Sequence, residues 1–426
     1  MLMAKIKRYD VGNDVHYKKL VSTVGQKKTI TTNNDIYTET GQKLVAKGVK
    51  IDNKVSASLA KHKLQAPLDD FIEIENPITA MTVVDDIKRI IAGSRTLKIL
   101  LDDLRDTDSI ESIIGSHNFP PTIAFKLSIA KSEREDIYDH SLMILCLAYF
   151  IASKANLSKN QLESTLLAAL FHDIGLLHID PAYFKSGRKL TSNERKFLNV
   201  HVIISSLILE PYSEYKGVIS RTVLDHHERM DGSGYPNGKS GDEICVSGQV
   251  LAIAEVVGSK FNADYECVDV DELELLLNMN SRKLNSELYT YFSVLFGNEQ
   301  KEVPSNISLS ELEMKDKLLL LAEILKKWLS ISNKQSSSTL AFIASYIDTL
   351  YESLIQAGMN FESLDFLIMM IEQDDVMKRH TYTIIKESSW QLSNLIEELK
   401  RRNKYQETVK DNSLSEWLLS IEKFTV

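Results

Sequence analysis

The sequence predicts a mainly α protein: a helical domain rich in histidine, preceded by a small α+β module and followed by a helical C-terminal region. Three observations predict it. Apolar residues recur at helical spacing from Thr79 onward. Short β-prone runs between turn residues are confined to the first 75 positions. Six of the ten histidines, His140, His172, His178, His201, His226 and His227, fall in one helical stretch.

In chain order, residues 1–75 form the α+β module. Lys28-Thr29-Ile30-Thr31-Thr32 reads as a strand, with turn signals at Asn33-Asn34-Asp35, Gly41 and Gly48 and a helix near Ser56 to His62. Asn76-Pro77 opens a helical connector, 76–124, because the residue before proline is pushed out of helical geometry. Its apolar stripe runs through Met81, Val84, Ile87, Ile90 and Ile91, then Leu97, Ile99, Leu100 and Leu104. Asn118-Phe119-Pro120-Pro121 ends it, and residues 125–300 form the histidine-bearing domain. Thr191 to Glu194 reads as a capping box ahead of His201. After Pro304-Ser305-Asn306, residues 305–426 read as a helical array opened by a capping box at Ser308 to Glu311. Gln335 to Ser338 and Gly358 break it, and Trp328, Trp390 and Trp417 are its expected anchors. His16, His62 and His380 show no partners in the sequence.

At roughly 150 residues per domain, 426 residues suggest two to four units. A hydrophobic fraction of 43% and a charged fraction of 26% are ordinary for a folded protein. The net charge of -9 argues against nucleic acid or an anionic membrane as partner. An anionic substrate then needs a local positive centre, which a bound metal provides. The longest apolar run, Leu142 to Ala152, is too short for a membrane span of about 20 residues. Met1 to Asp10 is basic but lacks the apolar core of a signal peptide. Three cysteines without a CxxC pair suggest reduced, mostly buried thiols in a cytoplasmic protein.

The stretch His226-His227-Glu228-Arg229-Met230-Asp231-Gly232-Ser233-Gly234-Tyr235-Pro236 is hard to explain as packing. Imidazole and carboxylate together suit first-row divalent metals, and the glycines let the loop fold sharply beside the rings. Asp136 and His140, four apart, share one helix face. His172-Asp173 ends an apolar helix, where a buried carboxylate needs compensation by a cation; a capping Asp beside a core His is the simpler alternative. Taken singly, His201 is more often a satisfied core histidine than a ligand.

Taken together, His140, His172-Asp173, His201 and His226-His227-Glu228 through Gly234-Tyr235-Pro236 resemble the HD-GYP branch of the HD-domain metal-dependent phosphohydrolases, from about Phe125 to Gly297. The resemblance implies a helical HD-type domain holding a two- or three-metal centre, usually iron or manganese. It also implies hydrolysis of a cyclic dinucleotide, chiefly cyclic di-GMP, to the linear dinucleotide or GMP. By position, His140, His172, Asp173, His201, His226 and His227 match metal ligands, with Asp173 bridging two ions and His172 and Asp173 at the catalytic step. Glu255 stands where the family has an Asp ligand, and Asp136 where three-metal members carry Glu; the shorter Asp136 favours two ions over three. Leu176 replaces the family's substrate-facing lysine, Gly258-Ser259 replaces Asp-Ala, and Asn262 to Tyr265 lack the family's basic pair. His178, Lys260 and Tyr235 are then the remaining candidates for contacting substrate. The alternative class is a catalytically weak signalling or scaffold protein whose Gly234-Tyr235-Pro236 loop faces diguanylate cyclases of the GGDEF type.

Overall fold

Helix-forming stretches broken by capping residues dominate the computed structural model, which describes residues 15–104, 109–184, 188, 190–261, 266–296, 308–332, 338–359, 361–401, 404–408 and 411–425. The basic stretch 1–10, the expected breaks at 304–306 and 335–337, and the segment 262–265 lie outside the described residues. The chain divides into two compact units. One takes the described residues up to Glu228 with Gly234–Gly258; the other takes Arg229–Ser233 with the described residues from Ser259 onward. This division differs from a histidine-bearing domain running to residue 300. The helix after Ser259 packs on C-terminal helices, and the α+β module and connector pack on the helices that carry the histidines.

Among its described residues, the first unit opens with a helix that the β-prone composition did not announce, α1 (Val15–Lys27), which buries Tyr17, Val21 and Val24. Strand β1 (Ile30–Thr32) pairs antiparallel with β4 (Ile72–Ile74), and β2 (Ile36–Tyr37) with β3 (Lys43–Val45). Helix α2 (Asn53–Ala60) follows β3 and is capped by Asp52, which accepts from the Val55 amide. The connector is not one helix. Ser94 ends α3 (Ala80–Gly93) and caps α4 (Arg95–Asp102) by accepting from Leu97 N. Val83, Val84, Ile87 and Ile90 face inward, while Met81 is exposed. A short α5 (Ile110–Gly115) follows.

Helix α6 (Pro121–Glu133) starts on a proline at N1, where the missing N–H has no partner to lose. Helix α7 (Glu135–Lys154) is buried on all sides from Leu142 to Ala152, as an apolar run too short to span a membrane should be. It packs against α8 (Lys159–Phe171) and α12 (Val246–Gly258). Between these lie a 3-10 turn (Ile174–His178), α9 (Ser192–Leu198), α10 (His201–Leu209) and α11 (Val218–Asp225). The Thr191 and Glu194 capping box forms as its spacing predicts. At Gly258 an added Cβ would come within 2.6 Å of Ile144 Cδ1, so glycine permits the close approach of α12 to α7.

The second unit contains α13 (Val270–Met279), α14 (Ser286–Tyr289), α15 (Glu311–Ser332), α16 (Ser338–Gln356), α17 (Leu364–Gln373), α18 (Asp375–Arg401), α19 (Tyr405–Thr408) and α20 (Asn412–Thr425). Trp328 and Trp417 meet at 4.8 Å between ring centroids, and Trp417 Nε1 donates to Ile324 O. They anchor the core; Trp390, expected beside them, is 44% exposed. The capping box of α15 forms two residues later than expected, between Ser310 and Glu313. Gly358 ends α16 at φ +83°, a conformation glycine adopts without strain.

Cys146 is buried, and Cys245 and Cys267 are partly buried. Among the described residues, no helix is long and apolar enough to cross a membrane.

Candidate metal centre

Three helix ends and two helix interiors bring the candidate ligands together in the first unit. His172 and Asp173 terminate α8, His201 begins α10, and His226 and His227 follow α11. His140 projects from α7 and Glu255 from α12. Helix ends suit this role because a residue there can use a free backbone carbonyl to orient its ring. His172 Nδ1 lies 2.7 Å from Ala169 O, His201 Nδ1 2.8 Å from Leu198 O, and His226 Nδ1 2.6 Å from Val223 O. In each case a ring N–H donates to the carbonyl three residues back. That commits Nδ1 and leaves Nε2 pointing into the cluster.

The Nε2 atoms face carboxylates. His172 Nε2 is 2.9 Å from Glu255 Oε1 and 3.2 Å from Asp173 Oδ2, and His140 Nε2 is 3.3 Å from Glu255 Oε1. On its other oxygen, Asp173 Oδ1 is 3.3 Å from His201 Nε2. Asp173 therefore stands between two sets of histidines. The rings of His226 and His227 complete the group, with centroids 5.1 Å (His172 to His226) and 5.2 Å (His201 to His227) apart. Three sets of ligand atoms lie within 4.8 Å of one another: His201, His226 and His227; His140, His172 and Glu255; and His172, Asp173 and His226.

The carboxylates and imidazoles of this cluster shift one another strongly. Burial opposes a charge on His172, yet Asp173 and Glu255 outweigh it and hold its pKa well above the ordinary range. Burial would raise Asp173 and Glu255, but the neighbouring histidines hold both carboxyls well below theirs. Burial, together with His172 and His201, pushes His226 down to about 3, leaving a neutral ligand. Nε2 of His172 and of His201 and Oε1 of Glu255 are buried and make no hydrogen bond, despite approaches near 3 Å. Buried polar atoms are nearly always satisfied, and converging nitrogen and oxygen lone pairs call for a cation between them. The donor set, imidazole with carboxylate, fits a first-row divalent metal.

Close packing sets the ligand spacing. Gly175 N donates to Ser205 Oγ at 2.8 Å, and a Cβ at Gly175 would sit 2.3 Å from His201 O. Only glycine lets the turn after Asp173 lie this close to α10. The loop after His227 is pinned by residues to which the sequence assigned no separate role. Glu228, 1% exposed, accepts from the amides of Asn237 (2.7 Å) and Lys239 (3.0 Å). Lys239 Nζ reaches the fully buried Asp225 at 2.5 Å, and Tyr235 N donates to His227 O at 3.1 Å. Tyr235 also lays its ring 4.8 Å from that of His227, the one substrate-side candidate found beside the cluster.

Three other candidates are placed elsewhere. Asp136 takes a bidentate ion pair with Arg134, at 2.9 and 2.8 Å, and belongs to none of the three ligand sets. His178 is 2% exposed and stacks on Tyr17 at 4.4 Å, so it is packed inside the unit rather than offered to a ligand. Lys260 lies in the second unit, its ammonium 2.7 Å from Glu272 on the wall of a cavity of about 270 Å³ shared with Arg379, His380 and Lys386.

The HD domain family matches residues 125–260. The chain is similar to a cyclic di-GMP phosphodiesterase of Pseudomonas aeruginosa, 29% identical over 157 residues, covering 37% of this chain and 38% of that protein. A 3'3'-cGAMP-specific phosphodiesterase of Vibrio cholerae is 36% identical over 89 residues, 21% of this chain and 19% of that protein. A cyclic di-GMP phosphodiesterase of Thermotoga maritima is 32% identical over 127 residues, 29% of this chain and 34% of that protein. The chain thus spans between about a fifth and two-fifths of the length of these relatives. The segment 125–260, which carries the candidate ligands, matches the HD domain family, and the proteins it is similar to are cyclic dinucleotide phosphodiesterases.

Proposed function

We propose that the chain is a metal-dependent phosphodiesterase that opens a cyclic dinucleotide, cyclic di-GMP first among them, to the linear dinucleotide or GMP. The observation that carries this reading is the convergence of buried, hydrogen-bond-free Nε2 and carboxylate atoms on one space. The names of the similar proteins support the substrate class. His140, His172, Asp173, His201, His226, His227 and Glu255 would hold two divalent ions, iron or manganese. Such ions supply Lewis-acid activation of water and neutralisation of phosphate charge.

The chain's own residues prepare the site for that chemistry. The carbonyls of Ala169, Leu198 and Val223 hold three rings in the ligating tautomer before any ion arrives. Glu228 ties down the return of the loop, which keeps Tyr235 against His227. Leu176, buried in the turn after Asp173, brings no cation to a phosphate, so charge neutralisation there would fall mainly to bound metal.

Leu176 also favours a second reading, a weakly catalytic signalling protein whose Gly234-Tyr235-Pro236 loop meets diguanylate cyclases. One experiment separates the two. Chain purified without oxygen and loaded with Fe(II) or Mn(II) is incubated with cyclic di-GMP and with 3'3'-cGAMP, and the products are resolved by chromatography. The enzyme reading expects a linear product that disappears in Asp173→Ala. Metal-loaded chain that leaves both dinucleotides intact supports the signalling reading instead.

A further inference from the structure

A second buried polar group ties the N-terminal module to the turn that carries Asp173. Tyr17 on α1 donates through its hydroxyl to Asp69 Oδ1 at 2.6 Å, and Lys126 Nζ on α6 lies 2.5 Å from Asp69 Oδ2. The same ammonium is 3.2 Å from His178 Nε2 and 4.0 Å from the centroid of the Tyr17 ring. The rings of Tyr17 and His178 stack at 4.4 Å and 20°. An ammonium only donates, so His178 Nε2 accepts and the imidazole is the neutral tautomer with its hydrogen on Nδ1. All four side chains are between 2% and 4% exposed.

His178 closes the 3-10 turn Ile174–His178, which Asp173 opens. Within that turn, Gly175 is fixed to Ser205, four residues beyond His201 on α10. The turn is thus clamped at three points: the metal-ligand end, α10, and the ring of Tyr17. Helices α1 and α6 both pack on it.

We propose that His178 is a positioning residue for the metal centre, and that the N-terminal module is a control element acting through it. Docking of α1 on His178 holds Asp173 and His201 in ligating geometry, and a shift of α1 lowers metal affinity. The proposal rests on the metal-centre reading above.

The test is a titration of the full-length, metal-free chain with Mn(II), followed by calorimetry and by the electron paramagnetic resonance of the ion, with thermal melting in parallel. Tyr17→Phe and His178→Leu should weaken Mn(II) binding by about tenfold or more, the usual effect of losing a group that orients a ligand. His178→Gln, which keeps an acceptor for Lys126, should recover most of that loss. Thr32→Val removes a buried hydroxyl that bonds to Ala46 O at 2.7 Å in the same module but away from the turn; it should lower the melting temperature without changing Mn(II) affinity. Mn(II) binding by His178→Leu and Tyr17→Phe as tight as wild type would overturn the proposal, as would a loss in Thr32→Val proportional to its melting shift. A wild-type chain that takes up no Mn(II) overturns the metal-centre reading itself.

Discussion

Two of the polar side-chain groups buried in the first unit are completed in different ways. Around Tyr17, Asp69, Lys126 and His178, each charge meets its opposite: Asp69 has an ammonium and a phenol, and Lys126 has a carboxylate, an imidazole nitrogen and an aromatic face. Around Asp173 and Glu255, two ionised carboxylates face imidazoles, three of which have committed their other nitrogen to a backbone carbonyl. A group that satisfies itself serves structure. One whose buried nitrogen and oxygen atoms converge on a common space without hydrogen bonds is suited to an ion from outside. Burial alone does not distinguish them; the inventory of donors and acceptors does.

Breaking the self-contained group should give the largest effect on stability. Lys126→Met leaves the Asp69 carboxylate buried without its cation, and a loss of about 3–5 kcal/mol is expected in urea denaturation. The metal group should respond to ligand instead. Mn(II) at a hundredfold excess over its Kd should stabilise the wild type by about 2.7 kcal/mol in the same assay, and Asp173→Ala by nothing measurable.

A third change addresses the packing that spaces the ligands. In Gly175→Ala the new methyl meets His201 O, so a destabilisation of about 1–3 kcal/mol is expected, with weaker Mn(II) binding by calorimetry. The smallest effect is expected from Leu176→Lys. A cation returned to the turn should raise turnover of cyclic di-GMP by a few-fold, an order of magnitude taken from the modest strength of partly solvated charge interactions. Product chromatography checks it, and unchanged turnover would remove the missing cation as the limit on rate.

The helical fold and most of the cluster were legible in the sequence, because histidines at helix ends beside apolar runs have few packing explanations. What was not legible depended on direction and on distant partners. His178 lies five residues from Asp173, but at about three residues per turn of 3-10 helix the two side chains leave the axis in different directions. Its partners, Tyr17, Asp69 and Lys126, are far away in the chain and share no local pattern. Asp136 matched a ligand position by number, yet Arg134 two residues earlier claims its carboxylate. Helix α1 is hard to see in the sequence because polar residues on its exposed face mask the stripe Tyr17, Val21 and Val24. Glu228 was visible in the motif, but its role needed the amides of Asn237 and Lys239 to be brought back to it.

The metal centre is tested most directly by the metal content of the purified chain after reconstitution with Fe(II) without oxygen and removal of unbound ion. The proposed two-ion reading predicts about two ions per wild-type chain, and loss of both in Asp173→Ala while the helical content is retained. Equal metal content in the two proteins, or none in the wild type, would contradict it.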